Sequence, residues 1–126
     1  MIFIHQAKLN CEQIEEKIEE EAKGYGLMLK KHFPFSKNLP ENGFEIKEHA
    51  SVFEFCKASV AAKLLNTQPE LKVLMPCRIS VYEKEGKAYV STLDLSVALK
   101  SLECEDELKK EVLALYEDMV SMIKGF

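Results

Sequence analysis

Cys56 and Cys77 are the residues of this sequence best placed to do chemistry. Cys56 closes the alternating segment Val52-Phe53-Glu54-Phe55-Cys56, and Cys77 opens a second one directly after Met75-Pro76. A thiol at a strand end serves as a nucleophile, a metal ligand or half of a reversible disulfide when its surroundings lower its pKa and leave it accessible. Lys57 and Arg78 follow the two cysteines directly and would favour thiolate if their charges lay close. Neighbours on a strand point to opposite faces, however, which weakens that argument. The competing reading is that both thiols are small buried hydrophobes, as free cysteines often are. Cys11 falls on a helical apolar stripe and reads as core, while Cys104 falls between helices.

His5, His32 and His49 are available to supplement the thiols, with His49 the accessory candidate beside Lys57 and Arg78. No short C-x(2–4)-C or H-x(3–5)-H pair brings two ligands in together, so no metal is assigned. Met119 and Met122 recur at helical spacing and read as core or dimer contacts before soft-metal ligands. Glu15, Glu16, Glu19, Glu20 and Glu21 lack the irregular Asp/Asn/Gly backbone of a calcium loop and read as the solvated face of a helix. Lys30-Lys31-His32 reads as a small solvated basic patch. There is no Gly-rich phosphate loop, no GxSxG and no HExxH. No catalytic residue or cofactor is assigned, and whether the chain is an enzyme stays open.

The totals narrow the class. A chain of 126 residues suits one domain, 1–126, able to bury a sizeable core without disulfides. A net charge of −4 argues against nucleic acid, whose binders concentrate Lys and Arg to displace counterions. No segment is long and apolar enough for a bilayer span, so no membrane partner is expected. Met1-Ile2-Phe3-Ile4-His5 lacks the basic start and apolar core of a signal peptide. With four cysteines and no CxxC, the expectation is a soluble cytoplasmic protein with free thiols.

The elements that must position these residues follow from periodicity. Ile2 to Ala7 alternates as a strand. Asn10 with Gln13 is a capping box, and Cys11, Ile14, Ile18 and Ala22 stripe a helix ending near Gly24. Tyr25 to Phe33 reads as a strand stopped by Pro34, and Phe35 to Gly43 as an exposed, mobile connection rich in turn formers. Phe44 to Cys56 reads as one bent strand or two, with Val52 to Cys56 the firmer half. Ala58 to Leu65 is a short helix with Val60, Ala61, Leu64 and Leu65 available for burial. Cys77 to Thr92 is a hairpin turning at Glu83–Lys87. Asp94 caps a short helix, and Leu108, Val112, Leu115, Met119, Met122 and Phe126 stripe a final helix from about Glu105 to Lys124. This order gives an α+β domain, an antiparallel sheet of four to five strands with its long helices on one face. The other face carries Arg78, Ser80, Tyr82 and Tyr89, and Tyr82 and Tyr89 are the candidate dimer face.

Val52-Phe53-Glu54-Phe55-Cys56, the small helix after it, Leu74-Met75-Pro76-Cys77, the Val81-Tyr82-Glu83 strand, Gly86 and Ser91-Thr92-Leu93-Asp94 together resemble the DUF302 family of small uncharacterised bacterial and archaeal domains. The resemblance spans nearly the whole chain and is most specific at Cys56 and Pro76-Cys77. It implies a β-α-β(4)-α topology akin to one repeat of the TATA-box-binding fold, and a homodimer. The family usually follows its first cysteine with Asn-Pro, where this chain has Lys57-Ala58. Shared layout carries no shared function, so DNA binding is not implied. The functional expectation is a dimeric binding or accessory module of unknown ligand; the alternative is a thiol-based redox or sulfur-carrier protein in which Cys77 accepts sulfur and Cys56 resolves it.

Overall fold

Strand alternation and helix stripes of the sequence assemble into two layers in the computed structural model, which describes residues 1–126. The elements are β1 (Ile2–Gln6), α1 (Cys11–Lys23), β2 (Met28–Phe33), α2 (Phe35–Glu41), β3 (Ala50–Cys56), α3 (Ala58–Thr67), a 3-10 turn (Pro69–Leu74), β4 (Cys77–Lys84), β5 (Lys87–Leu93), α4 (Leu95–Lys100) and α5 (Asp106–Lys124). The five strands form one sheet in the order β1-β5-β4-β3-β2, and every neighbouring pair is antiparallel. The expected α+β class and strand–helix order are thereby observed.

Local chemistry sets the ends of the elements. Asn10 Oδ1 accepts from the Gln13 N–H at 2.8 Å while the Asn10 N–H donates to Gln13 Oε1 at 3.0 Å, the anticipated capping box of α1. Asp94 accepts from the N–H groups of Ser96 and Val97 and starts α4. The β4–β5 hairpin turns on Glu85 and Gly86, whose φ values of 53° and 78° give the left-handed pair that matches strand twist in a two-residue turn.

The helix-facing side of the sheet is largely apolar because most alternate residues of the central strands are aromatic or branched. Phe53 and Phe55 of β3, Ile79 and Val81 of β4 and Val90 of β5 are all buried, as are the stripe residues Ile14, Ile18 and Ala22 of α1 and Leu108, Val112, Leu115, Met119 and Met122 of α5. Both anticipated stripes are therefore the core faces of helices laid on the sheet. Burying each such side chain supplies about 1.5–3 kcal/mol.

Four expectations are corrected. Phe35–Gly43 is not a free connection: Phe35–Glu41 is helical, and Ser36 Oγ anchors it to the start of β3, accepting from the Ala50 N–H at 2.6 Å and donating to the Ala50 carbonyl at 3.0 Å. Pro40 lies inside this helix and brings no N–H donor to it. The strand expected from Phe44 begins only at Ala50, since the Phe44 N–H is used at 2.9 Å on the Leu39 carbonyl to close α2. The second strand starts at Met28 because Gly26 turns the chain at φ 75°, and a bulge between Leu29 and Lys31 flips the rest of that strand. Leu65, expected to be available for burial, is exposed.

Phe55 is fully buried at the centre of the layer contact. Phe55→Ala is expected to lower the free energy of unfolding by about 3–5 kcal/mol, read by urea denaturation with an unchanged m-value; a loss below about 1 kcal/mol would contradict this placement.

Candidate functional site

Register decides where the two thiols go. Phe55 and Cys77 are directly paired across β3 and β4, and both are buried on the helix side. Cys56, one residue further, pairs with Met28 and faces the opposite side of the sheet. The expected thiol pair is therefore brought into one neighbourhood but separated by the sheet itself. A disulfide needs Cβ atoms about 3.5–4.5 Å apart with converging directions, and alternation points these two apart. All four cysteines are free.

The accessory residues do not serve the thiols. Lys57 turns to α5, its Nζ 3.7 Å from Asp118 Oδ2, and Arg78 lies on the outer face with its Nε 2.9 Å from Glu54 Oε2. His49 sits at the far end of β3, about 20 Å along the strand from Cys56. There its Nε2 is 2.6 Å from Glu15 Oε1, which also accepts from the Ser51 hydroxyl. Glu15 was expected on the solvated face of α1; it is instead drawn inward by His49, just ahead of β3, and Ser51 on it, a long-range contact that helical spacing cannot reveal. His5 lies on β1 with a buried Nε2 that has no partner, and His32 stacks on Phe53 at 4.2 Å. The histidines and thiols do not converge, and no group of three His, Cys, Asp or Glu side chains is placed to hold a metal.

Cys77 is the reverse of an activated thiol. Burial pushes its pKa up to about 12, the nearby Cys56 adds to this, and Lys72 offsets only part. Its Sγ donates to Met75 Sδ at 3.4 Å, just inside the cis Met75–Pro76 bond. Burial likewise pushes Cys11 up to about 11, helped by Glu15 and Glu83.

The outer face of the sheet offers a different site. With the two long helices on the other side, it is left to solvent in two rows of cross-strand partners. One runs Phe33, Val52, Ser80, Ser91, Ile4; the next runs Lys31, Glu54, Arg78, Leu93, Ile2. Between them lies a groove of about 350 Å³, floored by Val52, Ser80 and Ser91 and walled by Phe33 and by Phe35 of α2, whose rings stack at 5.8 Å. Its other end is apolar, formed by Ile2 and Leu93. Arg78 supplies the positive charge, with a side chain 72% exposed, and its Nε lies 2.9 Å from the largely buried carboxylate of Glu54. Tyr82 and Tyr89 lie on this same face as expected, directly paired and stacked at 5.5 Å. Sequence reading placed Arg78 and Ser80 here but missed the groove, because its wall depends on α2 and on the β2 bulge. The adjacent aromatics Phe33 and Phe35 either side of Pro34 were the available signal.

With this architecture in view, the chain belongs to the DUF302 family: the model of the domain of unknown function DUF302 matches residues 3–126. It is similar in fold to the crystal structure of an uncharacterized conserved protein DUF302 from Bacillus stearothermophilus, with a TM-score of 0.84 and 18% identity over 97% of this chain and 94% of that one. None of the curated proteins matches it. No helix is long and apolar enough to cross a membrane.

The Cys77 environment has a measurable consequence. Its raised folded-state pKa means that above the ordinary value of 9.0 the unfolded chain loses a proton that the native chain keeps, so stability is lost as pH rises from 9 towards about 12. In urea unfolding between pH 9 and 11, wild-type stability should fall more steeply than that of Cys77→Ala, by about 1.4 kcal/mol per pH unit from this group. Parallel slopes would contradict a buried neutral thiol.

Proposed function

We propose that this protein is a non-catalytic binding module that holds a small amphipathic anion in the outer-face groove. The observation that carries this reading is the groove itself, an apolar cleft of about 350 Å³ with one exposed cation, Arg78, and two hydroxyl-bearing residues, Ser80 and Ser91, on its floor. Ligand sites are typically concave, largely apolar and oriented by a few polar groups, in this size range. The apolar body of the ligand lies against Phe33, Phe35 and Val52, and its charged end meets Arg78. The module works in a reducing compartment such as the cytoplasm, its four thiols free. Two copies associate through the Tyr82–Tyr89 end of the same face, where the stacked rings offer an aromatic patch.

The thiol-based alternative has less support. A sulfur relay from Cys77 to Cys56 requires an accessible thiolate and two thiols able to meet. Cys77 is buried and held protonated, and the sheet lies between it and Cys56.

Calorimetric titration with decanoate, an apolar chain with one carboxylate, tests the reading. Wild type should bind one molecule per chain, Arg78→Gln should weaken binding about tenfold or more, and Ser91→Phe, which fills the groove, should abolish it. Absence of binding, or equal affinity in all three, would overturn the groove as a ligand site. In sedimentation, Tyr82→Glu should convert a dimer to monomer; an unchanged association state would remove the tyrosines from the dimer contact.

A further inference from the structure

A second cavity, of about 310 Å³, opens at the entrance to β4 and reaches into the layer between sheet and helices. Three sulfur-bearing side chains line it: Met75 and Cys77, two residues apart at the entrance to β4, and Met119, brought in by α5. All three are buried, and the Cys77 and Met75 sulfurs are already 3.4 Å apart. We propose that this cavity is a binding site for a soft monovalent metal ion, copper(I) or silver(I), held by Cys77 Sγ with the thioethers of Met75 and Met119.

The donor set selects the ion. Thiolate and thioether are soft ligands that favour copper(I), whereas hard divalent ions need oxygen donors. The only carboxylate lining the cavity is Glu54, and it is paired with Arg78 on the outer side. Net charge selects further. A monovalent ion displaces the thiol proton and bonds to sulfur, M⁺ + RSH → M–SR + H⁺, so a neutral group replaces a neutral group and the cavity, whose charged lining residues Glu54 and Arg78 are paired with each other, gains no net charge. A divalent ion on the same single thiolate would leave one positive charge buried, which is strongly disfavoured. Exposed Val73 and half-buried Leu74 and Pro76 border the mouth and leave a route for ligand exchange from a carrier. Cys56 faces the other side of the sheet and Cys11 leads α1 near the opposite end of the strands, so neither belongs to the site. The cavity shares Arg78, Thr92 and Leu93 with the outer groove, but none of the three sulfur ligands lines that groove.

The test is anaerobic titration of the Cys11→Ser/Cys56→Ser/Cys104→Ser variant with copper(I) presented as its bathocuproine disulfonate complex. One ion should be withdrawn per chain with release of one proton, and X-ray absorption at the copper edge should show sulfur ligands only. Met119→Leu, which conserves volume, should weaken binding about tenfold or more, and Cys77→Ser should abolish it. Zinc(II) in equal amount should not displace the copper. If the triple variant fails to fold, the wild-type chain serves instead, and Cys77→Ser should then remove one bound equivalent. No withdrawal of copper(I), nitrogen or oxygen ligands at the edge, indifference to Met119→Leu, or displacement by zinc(II) would each overturn the proposal.

Discussion

Because Phe53, Phe55, Ile79 and Val81 must all reach the layer of α1 and α5, the pleat of β3 and β4 sends Val52, Glu54, Arg78 and Ser80 to the opposite side. That alternation is the constraint on which the rest of the molecule depends. It cannot be relaxed one residue at a time, since slipping either strand by one would turn a run of buried aromatic and branched side chains into water. The division follows from it: the inner face builds the core, and the outer face is left open to solvent.

The same constraint governs the thiols. Cys77 belongs by parity to the inner face and takes the chemistry of that environment, a buried neutral thiol against a thioether. Cys56 belongs to the outer face at its edge. A sheet therefore stands between two cysteines that their positions at strand ends had suggested as partners. The cavity at the entrance to β4 gives Cys77 different company, methionine sulfurs from the preceding turn and from α5.

Much of this was legible in the residues. The Asn10–Gln13 capping box, the stripes of α1 and α5, the β4–β5 hairpin and the outward placement of Tyr82 and Tyr89 all follow from periods of two or 3.6 and from short-range hydrogen bonding. What was not legible depends on long-range choices. The helix at Phe35 is held by Ser36 on Ala50, fourteen residues away. The inward turn of Glu15 needs Ser51 of β3 and His49 just ahead of it. The bulge after Leu29 reverses which side Phe33 faces, and with it the existence of a groove wall. Whether Cys56 and Cys77 share a face turns on strand register, and each strand read alone is silent on that.

The central claim, that the outer face is the working surface, is tested most directly by mapping backbone amide chemical shifts of the isotope-labelled protein during titration with decanoate. Saturable shifts at Phe33, Val52, Ser80, Ser91 and Leu93, with the amides of α1 and the centre of α5 unmoved, are the predicted result. Shifts centred on α1 or α5, or none that saturate, would contradict it.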